Sequence, residues 1–201
     1  MRGHGFLAGP LLAILLMAAP LGASEVVRLP HLEVTIWDQA VAGSPFREEI
    51  VEGILDAPPE RVFRAVTDWA HYAEFMPFVV RSGAEPAAGG AVVSFQAMKL
   101  PAPMGERHYR LRTVSSVAGE GAGRRWRASW TYVPGSGNVK DHHGTWTLAP
   151  AAGGRTTVVC RLFTDPGGAV PAWAMHRALT ATLPYILDGL RQHVQRSRYD
   201  S

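Results

Sequence analysis

Apolar and polar residues alternate with a period of two along much of this chain, and that rhythm gives way to helical spacing in two places. Leu32 to Ala40 alternates as a strand does, and Arg47 to Leu55 carries Ile50, Val51, Ile54 and Leu55 as a second. After Pro77 the strand pattern resumes at Phe78–Gly83, Ala91–Lys99, Arg107–Val117, Arg124–Val133, Val139–Ala149 and Arg155–Thr164. The separators are turn-formers: Ala88-Gly89-Gly90, Gly119 to Gly123, Pro134 to Asn138 and Ala152-Gly153-Gly154. Strands joined by such short links pair as antiparallel neighbours.

The first helical stretch opens at Asp56-Ala57-Pro58-Pro59-Glu60, where an Asp can cap, prolines suit the first turn and a Glu follows early. Val62, Phe63, Val66 and Trp69 then share one face, and a short helical piece over Trp69–Phe75 ends at Pro77. The second follows the breaker Asp165-Pro166-Gly167-Gly168. Pro171 suits a helix start, and His176, Leu179, Leu183, Ile186, Leu187, Leu190 and Val194 form one apolar stripe. Strands, a helical pair, a run of strands and one long helix make an α+β order rather than alternating βαβ.

The first residues read differently from the rest. Arg2 and His4, an apolar run from Phe6 to Met17, and small residues up to Ala23-Ser24 follow the layout of a secretory signal peptide, assigned to 1–23. The run is shorter than the roughly 20 residues a membrane-spanning helix needs. The remaining 24–201 is expected to be one soluble domain, exported, most naturally to a bacterial periplasm. Cys160 is the only cysteine, so an internal disulfide is excluded, and on an apolar strand it reads as a small buried hydrophobe. A net charge of +3 with scattered arginines gives no case for a nucleic-acid partner.

The run Asp56 to Pro77, the Gly144-Thr145-Trp146-Thr147-Leu148 strand and the Asp165–Trp173 junction together resemble the START/polyketide-cyclase (SRPBCC) superfamily over about residues 46–196. The resemblance implies the helix-grip fold of START and birch-pollen-allergen-like proteins: a curved antiparallel sheet of roughly seven strands around the C-terminal helix, with small helices closing one end. Leu32–Ala40 would be an added strand. It also implies a hydrophobic cavity, a lipid or other hydrophobic small-molecule ligand, and no metal or organic cofactor. These motifs mark architecture and assign no catalytic residue.

Alternation splits each strand into two faces. Trp126, Ala128, Trp130 and Tyr132 share an aromatic face that must point inward, matched by His142, Gly144, Trp146 and Leu148. Val93, Phe95 and Ala97 form the apolar face of their strand, and Arg107, Tyr109, Leu111 and Thr113 share another. The last strand is ambiguous, with Val159, Arg161 and Phe163 opposing Val158, Cys160 and Leu162. The candidate ligand contacts are Phe95, Arg107, Tyr109, Trp126, Trp130, Tyr132, His142, Trp146, Arg161, Phe163 and Leu183. Polar groups on inward faces are costly in a dry core, so they point to a hollow with a few polar anchors.

Asp141-His142-His143 has metal-ligand residue types, but neighbouring strand residues face opposite ways and cannot share one ion, so no metal site is assigned. The Pro-rich Lys99–Gly105 segment is a candidate rim element in transient membrane contact. The leading functional expectation is a periplasmic carrier, with the long helix, bent near Pro184, or the Pro-rich loop as its gate. The alternative is a polyketide cyclase/aromatase-like enzyme, using His142 with Tyr109 or Tyr132.

Overall fold

In the computed structural model, residues 24–102 and 104–199 are described; the leader assigned to 1–23 lies outside them. Nine strands form one antiparallel sheet: β1 (Glu25–Leu29), β2 (Leu32–Ala40), β3 (Arg47–Leu55), β4 (Val79–Pro86), β5 (Val92–Lys99), β6 (Glu106–Ala118), β7 (Arg125–Tyr132), β8 (Asp141–Ala151) and β9 (Arg155–Asp165). Their order is β1-β2-β3-β9-β8-β7-β6-β5-β4. Strands β4 to β9 run as a meander, and β9 returns to pair with β3, with Val51 opposite Cys160. The chain between β3 and β4 must therefore cross from mid-sheet to the far edge. It does so through α1 (Pro59–Val66) and a 3-10 segment, Trp69–Glu74.

Two local readings change. The five-residue β1 pairs with β2 from Glu25↔Ile36 to Leu29↔Leu32, and five residues are too short a pattern to stand out in the sequence. At the start of α1 the N-cap position falls on Pro58, with no side-chain cap, rather than on Asp56. Pro59 pushes the preceding residue to extended geometry, so the helix cannot begin earlier.

The long helix α2 (Ala172–His193) lies on the concave face and continues through Pro184. Leu183, Leu187, Leu190 and Val194 of its stripe are wholly buried, whereas Leu179 and Ile186 are partly covered. Its second half is tightly seated: a Cβ on Gly53 would lie 3.0 Å from Leu187 Cδ1, and one on Gly189 only 2.3 Å from the Phe75 carbonyl oxygen. Beyond the helix, Arg61 Nε donates to the Val194 carbonyl (2.7 Å) and Arg64 to that of Tyr199 (2.5 Å). Tyr199 Oη donates to Asp68 (2.5 Å) and meets His193 Nε2 at 2.7 Å, while the His193 ring stacks on Phe75 at 4.0 Å. The C-terminal end of α2 is thus clamped to α1 and the 3-10 segment. Its other end is less covered, with Trp173 71% exposed.

Candidate functional site

Between the first half of α2 and strands β5 to β9 lies a hollow of about 510 Å³. Its inner wall is aromatic: Trp69 and Tyr72 from the 3-10 segment meet Trp130 of β7 and Trp146 of β8, with Cys160 and Leu162 of β9 beside them. Ring centroids connect these residues at 4.8 Å (Trp69–Tyr72), 6.2 Å (Trp69–Trp130) and 6.5 Å (Trp130–Trp146). Ala174, Ala178, Leu179 and Ile186 of α2 form the opposite wall. Phe78, Leu100, Pro101, Ala102, Met104, Pro166 and Trp173 also border the space. Phe78 has φ +64°, a conformation an aromatic residue rarely adopts, and it is held there while Lys99 N–H donates to its carbonyl at 2.9 Å.

The polar groups of the wall gather where β6 and β8 begin and β9 ends. His142 Nδ1 lies 2.8 Å from Thr164 Oγ1, and its ring sits 4.9 Å from Tyr109 and 6.1 Å from Trp130. Tyr109 Oη donates towards Gln96 Oε1 (3.3 Å) and Met98 Sδ (3.2 Å). Deeper in, Tyr72 Oη donates to the Val66 carbonyl at 2.6 Å. Loss of hydration, with a smaller push from His143, lowers the His142 imidazole to about 4, so it is neutral at pH 7. Burial raises the Tyr72 and Tyr109 hydroxyls and the Cys160 thiol, which stay protonated. At neutral pH the hollow therefore offers neutral hydrogen-bonding groups and the guanidinium groups of Arg107 and Arg177. Among the described residues, no carboxylate lines it.

Of the residues singled out from the sequence, Arg107, Tyr109, Trp130, His142 and Trp146 line this space. Trp126, Tyr132 and Leu183 are on the concave side but pack away from it. Trp126 lies under Arg124, whose guanidinium carbon is 5.0 Å from the ring, and Leu183 is wholly buried in the core. Tyr132 packs against the core with its hydroxyl directed to the Gly137 carbonyl at 3.4 Å.

Phe95, Arg161 and Phe163 are corrected to the convex face. Cross-strand partners share a face. Gln96 pairs with inward Tyr109, so Phe95 must point out, and Arg81 covers its ring at 5.4 Å. The apolar set Val93, Phe95 and Ala97 is accordingly the outer one, and the inner set is Ser94, Gln96 and Met98. On β9 the inner set is Val158, Cys160, Leu162 and Thr164. Arg161 pairs with Thr145 and donates to Gln39 (2.7 Å) and Glu48 (2.5 Å), and Phe163 stacks on His143 at 4.9 Å. Gln96, Met98 and Thr164 were missed because a polar residue or a methionine gives no facial signal of its own. Pairing with Tyr109, Arg107 and His142 reveals them.

His142 and His143 do face opposite ways; His143 Nδ1 meets Asp141 Oδ2 at 2.9 Å. A different acidic cluster joins three elements where the N-terminal half of α2 meets β2 and β3. Asp38 and Glu49 are cross-strand partners, and His176 of α2 bridges them, Nδ1 to Glu49 Oε1 at 2.7 Å and Nε2 to Asp38 Oδ2 at 3.8 Å. Glu49 is 1% exposed, and burial raises its carboxyl above the usual range while His176 pulls the other way. His176 uses a different nitrogen for each carboxylate, and Arg47 already neutralises Asp38. These are the contacts of an ionic clasp tying α2 to the sheet, with the donor types of a metal centre but a cation already in place.

An antiparallel sheet curved around one long helix, with an apolar hollow beneath it, defines a helix-grip protein. Residues 55–191 match the family described as polyketide cyclase/dehydrase and lipid transport, and the chain belongs to that family. Its fold is similar to that of a STAR-related lipid transfer protein from Xanthomonas axonopodis, with a TM-score of 0.73 at 23% identity, covering 86% of this chain and 99% of that one. Human StAR-related lipid transfer protein 5 gives a TM-score of 0.72 at 16% identity, covering 86% of each chain. The Zhui aromatase/cyclase from a Streptomyces species gives 0.58 at 14% identity, covering 76% of this chain and 97% of that one. In sequence, an uncharacterized protein of Pseudomonas aeruginosa is 25% identical over 132 residues, 64% of this chain and 62% of that protein's length.

Proposed function

We propose that this protein binds and carries a hydrophobic small molecule, a lipid, in the hollow beneath α2, and does so in the periplasm after loss of residues 1–23. The observation that carries the reading is the hollow itself. About 510 Å³ is within the size range of small-molecule sites, and its aromatic and aliphatic wall has its polar groups gathered at one end. Apolar guest surface removed from water there contributes on the order of 25 cal/mol per Å². The clamped end of α2 stays fixed, while its N-terminal half and the Pro-rich segment between β5 and β6 form the gate. Phe78 and Trp173, 40% and 71% exposed, give that gate an apolar surface for transient contact with a membrane.

Native mass spectrometry of protein extracted without denaturant tests this, with the expected result a co-purifying lipid mass. No adduct, together with no thermal shift across a panel of lipids and quinones, would overturn it. A second reading, a cyclase/aromatase-like enzyme, draws on the close approach of His142 to Tyr109 in the same hollow. It predicts loss of turnover in His142→Ala with guest binding intact. A base near 4 is far from the pKa that proton transfer at neutral pH favours, which supports the carrier.

A further inference from the structure

The wall of the hollow is one-sided in its hydrogen-bonding demand. Its neutral polar pairs are already satisfied: Tyr109 by Gln96 or Met98, and His142 by Thr164. Among the described residues, the buried polar atoms of the wall without a partner are Arg107 Nε and Trp130 Nε1, and both can only donate. Arg107 is the second residue of β6, at the same end as the Pro-rich segment. Its Nη1 reaches only the Glu106 carbonyl, at 3.0 Å, and it makes no ion pair among the described residues. Arg177 of α2, exposed and likewise without an ion pair among those residues, borders the hollow from the helix side. No Asp or Glu among the described lining residues balances either guanidinium.

We infer, building on the carrier reading, that the guest is an amphiphile with an anionic oxygen head group, its tail among the tryptophans and its head on Arg107. A carboxylate or phosphate brings acceptors and negative charge to a site whose unpartnered buried atoms are donors and whose charged groups are cationic. An ammonium or choline head brings a cation to two unbalanced guanidiniums. A neutral hydroxyl supplies an acceptor but leaves the charge unmet. Arg107 accordingly selects the head group, and the aromatic wall holds the tail without regard to it.

Four probes with the same chain separate these cases: dodecanoic acid, dodecyl phosphate, dodecan-1-ol and dodecyltrimethylammonium. Each is titrated into delipidated full-length mature protein, followed by tryptophan fluorescence and native mass spectrometry. The acid or the phosphate should bind at least about tenfold more tightly than the alcohol, the weight of a charge-assisted hydrogen bond, and the ammonium most weakly. Whichever anion binds better identifies the head group. Arg107→Gln should erase that preference, bringing the anions down to the alcohol's affinity, and Arg107→Lys should keep part of it. Equal binding of anions and alcohol by the unmodified protein would overturn the inference and leave the carrier reading standing. If none of the four binds, both fall.

Discussion

Gly144→Ala tests how the aromatic wall is built. Gly144 of β8 stands opposite Trp130 of β7, and the indole lies across the space where a side chain would be. A Cβ there would fall 2.2 Å from the Arg161 carbonyl oxygen and 2.4 Å from Trp130 Cζ2, far inside ordinary contact. The carbonyl belongs to the β8–β9 ladder and cannot retreat without loosening it, so the strands must part locally and Trp130 must also swing by about 1 Å. Overpacking of this kind costs about 1–3 kcal/mol, and with a rigid backbone atom on one side the upper half of that range is expected. For a chain of this size that lowers Tm by about 4–12 °C. Gly83→Ala on β4 is the control, since nothing lies within 4 Å of its Cβ position, and it should stay within about 0.5 kcal/mol of the parent. Both are measured by urea denaturation and thermal melts followed by circular dichroism. A Gly144→Ala protein as stable as the Gly83→Ala control would refute the packing described for Trp130.

Leu187→Ala removes a wholly buried side chain seated against Gly53 and should cost about 2–5 kcal/mol in urea denaturation. Acid should destabilise the fold through His142, whose folded value near 4 lies below the free 6.5. As pH falls through that window the unfolded chain takes up a proton that the folded chain refuses, and up to about 3 kcal/mol is lost. His193, also lowered to about 4, adds to the effect. His142→Asn should flatten the dependence of Tm between pH 6.5 and 4, and an unchanged slope would contradict it. Trp173→Ser should weaken co-sedimentation with phospholipid vesicles and leave Tm within about 1 °C, because the ring is largely exposed.

The α+β order, eight of the strands and the stripe of α2 were legible because each rests on near neighbours in the chain. Period-two alternation paired Trp126 with Trp130 and His142 with Trp146 on common faces, and those pairings hold in the sheet. Alternation divides a strand into two faces without saying which is inner. On β7 and β8 the tryptophans decided it by size. On β5 the more apolar face, with Phe95, is the outer one, because its inner face hydrogen-bonds Tyr109 through Gln96. On β9 neither face was distinctive, and the partners of Arg161 and Phe163 come from β2, β3 and β8, distant in sequence.

The sequence by itself determined the elements other than β1 and their turns, since local propensity and short-range spacing encode them, and its motifs carried the family resemblance. Tertiary structure alone decided which side chains face the hollow, that Arg107 stands there without a counter-charge among the described residues, and that Asp38, Glu49 and His176 meet. Those facts depend on the register between strands and on where α2 comes to rest, and contacts between distant parts of the chain leave no periodicity to read.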